Sequence, residues 1–537
     1  MKPFDANGAF RTAPDSGSEL RRLAIRGSGV TLLSQGASLA VQIVATVVLA
    51  RLLTPADFGL VAMVTTFSLL LMNFGQNGFT EAILQRDQID HFLASNLFWI
   101  NVGFGLLLTI GFAACGSLLA RFYGEPRLTL ITLGLSATIF LNSTSVVHLA
   151  LLKRAMNFHT TAVNDILART ATVGVSILLA WRGWGYWSLV AGSAALPLTA
   201  SLCAWAQCRW VPAFPRPAKQ TGSMVQFALN TYGRFVFDYF ARNTDNLLVG
   251  WRFGAGSLGF YKKAYDLFAL PAGQLVSPLT AVAVSAMSRL HRDKLQYRRY
   301  FLGGLSVLAF LGMGLAADLT LVGKDLIRLL LGPAWQEAGR IFTYFGPGIG
   351  IMLVYYSNGW IHLSIGRPDR WLRWGFVEVG VTVLLFVLVL PWGPAGIAIA
   401  WTASFWILVL PAFWYAGKPI QFGITPIVAA LWKYVLASLV AGCASALILR
   451  EIPLPALASP AAGAAYRIAI GSLLLGTLYL LAVILLHRGC GPLYQVARLL
   501  REMIPLGRSP AERPPAAAIY GTMKEEAVTL ACGRETS

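Results

Sequence analysis

Five polar residues within one apolar stretch, Asn230, Arg234, Asp238, Arg242 and Asp245, follow one another at intervals of four, four, four and three. On an α-helix turning 100° per residue they fall within an arc of about 120° and form one stripe. Arginines in such a row suit anionic oxygen, phosphate above all, because the planar guanidinium donates two parallel charge-assisted hydrogen bonds. Asp238 lies one turn from each arginine, where it can set their geometry or sense a cation. Asp165 and Arg169 repeat the i,i+4 spacing, and Asn73, Gln76, Asn77 and Glu81 share a broad face nearer the start of the chain. Gln35, Ser38 and Gln42 occupy the place equivalent to the stripe in the first apolar stretch, without charge. Glu378 and Asp318 are lone acids in apolar surroundings, and Glu378, like Asp238, is a candidate for ion coupling. Each group also has a packing reading. The stripe can be a buried ion-pair ladder, Asp165–Arg169 a salt bridge at a helix end, and the amides interhelical hydrogen bonds.

The surroundings of these residues are hydrocarbon-like. Of 537 residues, 56% are hydrophobic and 12% charged, where a soluble domain carries about 25% charged residues. Mean hydropathy is +0.62. So few charges cannot cover a water-exposed surface of this size, and the apolar surface must face lipid. A bilayer core needs roughly 20 helical residues. Stretches of that kind recur at 28–50, 58–79, 94–120, 128–150, 160–181, 185–207, 226–250, 268–288, 301–322, 341–364, 374–391, 394–416, 431–449 and 467–487. No alternating barrel pattern is present, and buried backbone must satisfy itself, so these are expected to be helices. The expected fold is an all-α polytopic membrane protein with about fourteen transmembrane helices. A charge at the bilayer centre costs roughly 2.5–3.5 kcal/mol, so the stripe is expected to face a hydrated cavity, its five residues lining it with Asp165, Arg169, Asn73, Gln76, Asn77 and Gln42.

The formal net charge of +19 would suggest nucleic acid in a soluble protein. Here the excess base sits in tails and short connections. With the N-terminus placed in the cytoplasm, the tails and even-numbered connections hold more than twice as many Lys and Arg as the opposite side. That places both termini in the cytoplasm of an inner-membrane protein, with membrane lipids rather than nucleic acid as partners. The N-terminal residues lack the short apolar region of a signal peptide and read as a cytoplasmic tail. The expected division is a tail at 1–24, a six-helix lobe at 25–210, a second at 220–417, two further helices at 430–488 and a mostly disordered cytoplasmic tail at 489–537. Residues 1–20 read as disordered, and 494–503 as an interfacial amphipathic helix.

No HExxH, Walker loop, GxSxG or His/Cys metal cluster is present. Gly254 to Gly259 fit GxGxxG, but a membrane helix precedes them instead of a strand, so they read as a turn. Tyr261, Lys262, Lys263 and Tyr265 then read as an interfacial segment. The six cysteines form no CxxC pair, and the six histidines read as interfacial residues. No catalytic residue, metal or cofactor is expected, and no enzyme activity. An internal echo links Ala50-Arg51-Leu52-Leu53-Thr54-Pro55-Ala56-Asp57-Phe58-Gly59 to Gly250-Trp251-Arg252-Phe253-Gly254-Ala255-Gly256-Ser257-Leu258-Gly259, with the final glycines 200 residues apart. Six spans lie between, so the halves have the same orientation, as in transporters with parallel repeats.

The segment from Ala50 to Leu60 resembles the first-loop signature of the Wzx/WzxC-like polysaccharide export family of the MOP flippase superfamily. So do Asn243-Thr244-Asp245-Asn246-Leu247-Leu248-Val249-Gly250, Leu258-Gly259-Phe260-Tyr261, Ala264-Tyr265, Leu270-Pro271, Ser288-Arg289-Leu290, Leu331-Gly332-Pro333-Ala334-Trp335 and Gly366-Arg367-Pro368. The resemblance covers about residues 25–490. Met287 stands where relatives often carry a proline before the serine, which bears on a bend in the eighth span. The resemblance implies two pseudo-symmetric six-helix lobes in a V around a central cavity, plus two C-terminal helices. It implies alternating access that flips an undecaprenyl-diphosphate-linked oligosaccharide for surface polysaccharide (lipopolysaccharide or exopolysaccharide) biosynthesis, beside polysaccharide polymerase and chain-length machinery. Other exporters of the superfamily, for drugs or peptidoglycan precursors, are the alternative. A membrane glycan polymerase or ligase would need a catalytic loop that is not found. On this reading Arg234 and Arg242 hold diphosphate or acidic sugar. Arg242→Ala is expected to leave the protein inserted but stop saccharide export, and normal export by that variant would count against a cavity role for the stripe.

Overall fold

The computed structural model describes residues 3–494 except 6–7, 9, 11–16, 81–82, 85–88, 217–220, 291–292 and 452–459. For 17–33, Asn77 and scattered positions after 220, among them Asn230, Arg234 and Asp238, the description is of the backbone alone. Glu81 and residues 495–503 of the expected interfacial helix lie outside the described residues.

The first half contains α1 (Gly17–Leu52), α2 (Pro55–Gly75, continued by a π-turn at Gln76–Thr80), α3 (His91–Ala114), α4 (Gly116–Tyr123), α5 (Leu128–Ser143), α6 (Val146–Arg154), α7 (Phe158–Trp181) and α8 (Tyr186–Cys208). The second contains α9 (Thr221–Leu290), α10 (Lys294–Leu331), α11 (Gln336–Tyr356), α12 (Asn358–Ser364), α13 (Pro368–Val389) and α14 (Gly393–Gly417). α15 (Thr425–Glu451) and α16 (Pro460–His487) follow. Beyond Ala482 the described residues are the end of α16 and the short helical stretch 491–494.

Among the described residues there is no named strand, and ten stretches are long and apolar enough to cross a membrane. One of them, Pro368–Ile420, contains both α13 and α14. α9 and α11 fall outside the ten, diluted by polar residues in one and by glycines and Pro347 in the other. The helices are consistent with the fourteen spans read from the sequence.

Several expected boundaries change. The span 94–120 breaks at Cys115, and 128–150 breaks after Ser143. At the second break the Thr144 hydroxyl donates to Leu141 O at 2.7 Å, and that of Ser145 donates to Asn142 O at 2.9 Å. Such back-bonding competes with the helical ladder and bends it. The span 341–364 breaks in the same manner, where the Ser357 hydroxyl donates to Val354 O at 2.7 Å. Phe4 and Gly8, in the stretch expected to be disordered, are packed. Phe4 is buried, its ring 5.4 Å from His91 and 6.0 Å from Trp210, and the His91 N–H donates to Gly8 O at 2.9 Å. An aromatic cluster at the start of α3 gives this side chain a better place than water. His148 and His362, expected at the interface, are fully buried, and His148 stacks on Trp205 at 4.3 Å.

The turn expected after 250 is reduced to one residue, Gly254, at φ 77 and ψ −179, where the two helical arms of α9 meet at a kink, and the segment expected to be interfacial is part of the second arm. This region of backbone space is essentially reserved for glycine. In the first half the equivalent joint is a capped turn. Pro55 opens α2, the Thr54 N–H donates to Asp57 Oδ2 at 2.9 Å, and the Asp57 N–H donates to Thr54 Oγ1 at 3.3 Å. This capping box fixes the start of the helix. The sequence echo is also a spatial one. A Cβ added to Gly59 would overlap the Ala255 carbonyl, and one added to Gly259 would overlap that of Pro55. α2 also packs along the first arm of α9, with Tyr232 donating to Leu70 O at 2.8 Å and Gly78 lying against Ala228.

Gly254→Ala is expected to destabilise the folded protein by about 1–3 kcal/mol, the cost of holding a side chain in this conformation. Gly256→Ala, two residues on with open space around it, should be neutral or stabilising. Melting temperatures in detergent compare the two, and equal values would mean that the joint carries no strain.

Candidate functional site

A cavity of about 350 Å³ lies between α1, α2, α7, α8 and the second arm of α9. α1 contributes Ser38, Gln42 and Thr46, α2 contributes Phe58 and Thr65, and α7 contributes Arg169, Thr172 and Ser176. Lys262, Lys263 and Asp266 come from α9. The repeat gives this position a meaning. α2 against the first arm of α9 is a packed seam, and the cavity occupies the repeat-equivalent place, between α1 and the second arm.

The charges in the wall are arranged in three ways. Arg169 Nε donates to Asp165 Oδ2 at 3.0 Å, and the Ser38 hydroxyl donates to the same oxygen at 3.4 Å. Lys262 Nζ donates to Asp266 Oδ1 at 2.6 Å, one turn along α9. Lys263 differs: its ammonium sits 4.2 Å from the centroid of the Phe58 ring. Among the described residues it rests on this ring rather than in an ion pair. A cation on an aromatic face is held by the ring quadrupole and keeps its hydrogen-bond donors for another group. The wall therefore offers two compensated pairs and one ammonium able to turn toward an anion.

Of the residues singled out in the sequence as polar candidates, Ser38, Gln42 and Arg169 line this cavity, and Asp165 holds Arg169 from beside it. Gln76 Nε2 donates instead to Asn142 Oδ1 at 3.1 Å, joining the end of α2 to α5, and Asn73 Nδ2 donates to Leu69 O at 2.7 Å. The side chains of Asn77, Asn230, Arg234 and Asp238 lie outside the described residues. Arg242 is exposed on α9 and is not among the residues lining the cavity. Asp245 does not face open water. It is fully buried and receives hydrogen bonds from Tyr261 OH at 2.7 Å, Trp401 Nε1 at 3.0 Å and the Asn246 N–H at 2.8 Å. It thus ties the two arms of α9 together across Gly254 and fastens both to α14. Three donors on one carboxylate offset the cost of burying it. Glu378 on α13 meets Tyr355, whose hydroxyl also accepts from Trp374 Nε1 at 2.8 Å. It is likewise absent from the cavity wall.

Lys262, Lys263 and Asp266 were missed as site residues because the segment read as interfacial. The available signal was the i,i+4 pair Lys262–Asp266 interleaved with Tyr261 and Tyr265, themselves i,i+4, a helical rather than a loop pattern.

The succinoglycan biosynthesis transport protein ExoT of Rhizobium meliloti is 23% identical over 327 residues, 61% of this chain and 66% of that protein. The teichuronic acid biosynthesis protein TuaB of Bacillus subtilis is 24% identical over 323 residues, 60% of this chain and 65% of that protein. These matches span slightly less than two thirds of the relatives' own length. Among solved structures, the lipid II flippase MurJ in an inward closed conformation superposes with a TM-score of 0.68 at 15% identity, covering 86% of this chain and 99% of that one. The shared fold makes this a multi-pass helical membrane protein of MurJ-like architecture. Residues 48–340, more than half of the chain, match the model of the polysaccharide biosynthesis protein family, and the chain belongs to that family.

Proposed function

We propose that this protein moves a lipid-linked saccharide of the undecaprenyl-diphosphate type across the inner membrane by alternating access, for the assembly of a surface polysaccharide. The observation that carries the reading is the cavity: Lys263, Arg169 and Lys262 gathered with Asp266 and several hydroxyls on its wall, in a helical bundle whose outer faces are apolar. A diphosphate is the part of such a cargo that hydrocarbon rejects most strongly, and a wall of cations replaces its water. Hydroxyls of Ser38, Thr46, Thr65 and Thr172 around the charges can exchange hydrogen bonds with sugar. The family and the relatives named for polysaccharide synthesis support the saccharide. The predominance of Lys and Arg on one side supports both termini in the cytoplasm. The polysaccharide polymerase and chain-length machinery are the expected neighbours, and coupling to an ion through Asp238 or Glu378 belongs to the same proposal. The protein would act as a carrier, not as an enzyme.

In this scheme Lys263 leaves the Phe58 ring to hold the phosphate, while Lys262 stays with Asp266. Lys263→Gln is expected to reduce export about ten- to a hundredfold, the ratio set by one charge-assisted hydrogen bond of about 1.5–3 kcal/mol. Lipid-linked repeat units should accumulate on the inner leaflet while the amount of inserted protein stays at the parental level. Undiminished saccharide export by this variant would remove the anion-binding role. Extrusion of cationic dyes, or loss of viability on depletion with no change in surface polysaccharide, would favour the drug or peptidoglycan-precursor alternative.

A further inference from the structure

The internal repeat bears on how one end of the cavity is sealed. Pro55 and Ala255 open equivalent helical arms, and Gly59 and Gly259 follow one turn later. Gly59 rests on the Ala255 carbonyl and Gly259 on the Pro55 carbonyl. Residue 55 meets 259 as 255 meets 59, the reciprocity of an isologous contact between like units. Backbone touches backbone, with no space for a methyl group.

Beside this contact stands Trp335, which is fully buried. Its indole N–H donates to Ala50 O at 2.8 Å, and its ring lies 5.4 Å from Phe58 and 6.0 Å from Phe260, both edge-on. Arg51 Nη2 donates to Leu329 O at 2.8 Å. The bonds to Ala50 and Leu329 and the Phe58–Trp335 contact join the first half of the chain to the second. Leu49 and Phe58 belong both to this neighbourhood and to the cavity wall, so the packed layer caps that end of the cavity. What holds it is glycine surface and hydrogen bonds to two backbone carbonyls, and among the described residues Arg51 forms no ion pair there. Contacts of this kind can part and be rewetted at modest cost.

We propose that the reciprocal contact of Gly59 with Ala255 and of Gly259 with Pro55, latched by Trp335, is the gate that shuts this end of the cavity and parts when the cavity opens there. By the distribution of Lys and Arg this is the outer side. The proposal rests on the transport reading in one respect, that a carrier must open, and its test measures no cargo.

Thr46 lines the cavity behind the gate. Thr46→Cys is labelled with a membrane-impermeant thiol reagent applied outside spheroplasts, and the same protein without that substitution is subtracted to remove the native cysteines. Gly59→Ala and Gly259→Ala each raise helical propensity but oppose the closed packing. Each should speed labelling by about tenfold, a shift in favour of the open state. Gly103→Ala, with nothing within 4 Å of the added methyl, should not change the rate. Trp335→Phe keeps a ring but loses the donor, and should shift labelling in the same direction. Parental labelling rates in glycine variants present at parental amounts would overturn the gate. If those variants are lost from the membrane, unchanged labelling of Trp335→Phe overturns it instead. Accelerated labelling together with undiminished export by Lys263→Gln would leave the gate standing and the cargo reading fallen.

Discussion

Charge inside hydrocarbon is the constraint on which this structure depends. Lys262, Lys263, Asp266, Asp165 and Arg169 belong to helices whose other faces are made for lipid, and each would oppose insertion if turned outward. The fold reconciles them with the membrane by pairing and by grouping them about one space. Two cations are matched by a carboxylate one turn away, the third lies on an aromatic ring, and Arg169, Lys262, Lys263 and Asp266 line a common space. Asp245 shows the opposite solution, a buried carboxylate outside this cavity's wall and surrounded by three donors. One acidic residue serves architecture while others a few turns away serve the cavity, and the difference lies in what the neighbouring helices supply.

The repeat makes this asymmetry informative. Duplicated halves begin with equivalent opportunities for packing, yet α2 lies along one arm of α9 while α1 and the other arm stand around a void lined by polar groups. The joints differ as well. The first half turns through a capped loop with Thr54, Pro55 and Asp57, and the second through a lone glycine. The two halves share a scaffold, and the cations stand on one side of it.

Much of the fold was legible in the sequence because hydropathy and helical length are local properties. Apolar stretches of about 20 residues mark helices wherever they occur, and the Gly59/Gly259 echo is visible without coordinates. The site was less legible. Residues 251–267 are too polar to read as buried, so they suggested a surface segment, when the polarity marks the face of a helix turned to a cavity. The fate of Asp245 depended on Trp401, 156 residues away, and helical periodicity cannot report a partner at that distance. Gln42 and Arg169 were found because their helices are regular enough for spacing alone to indicate a face. The breaks at Thr144 and Ser357 were invisible for a related reason, since a hydroxyl in an apolar run lowers hydropathy too little to mark a bend.

The joint at Gly254 has a mechanical consequence. With one residue between the arms of α9, and Asp245, Tyr261 and Trp401 bracing the corner from inside, the two arms form a bell-crank whose angle is set by a single backbone pivot. A loop would absorb displacement as slack. A braced corner transmits it, so a tilt imposed on the segment before residue 254 reappears as a swing of Lys262, Lys263 and Asp266 through the cavity.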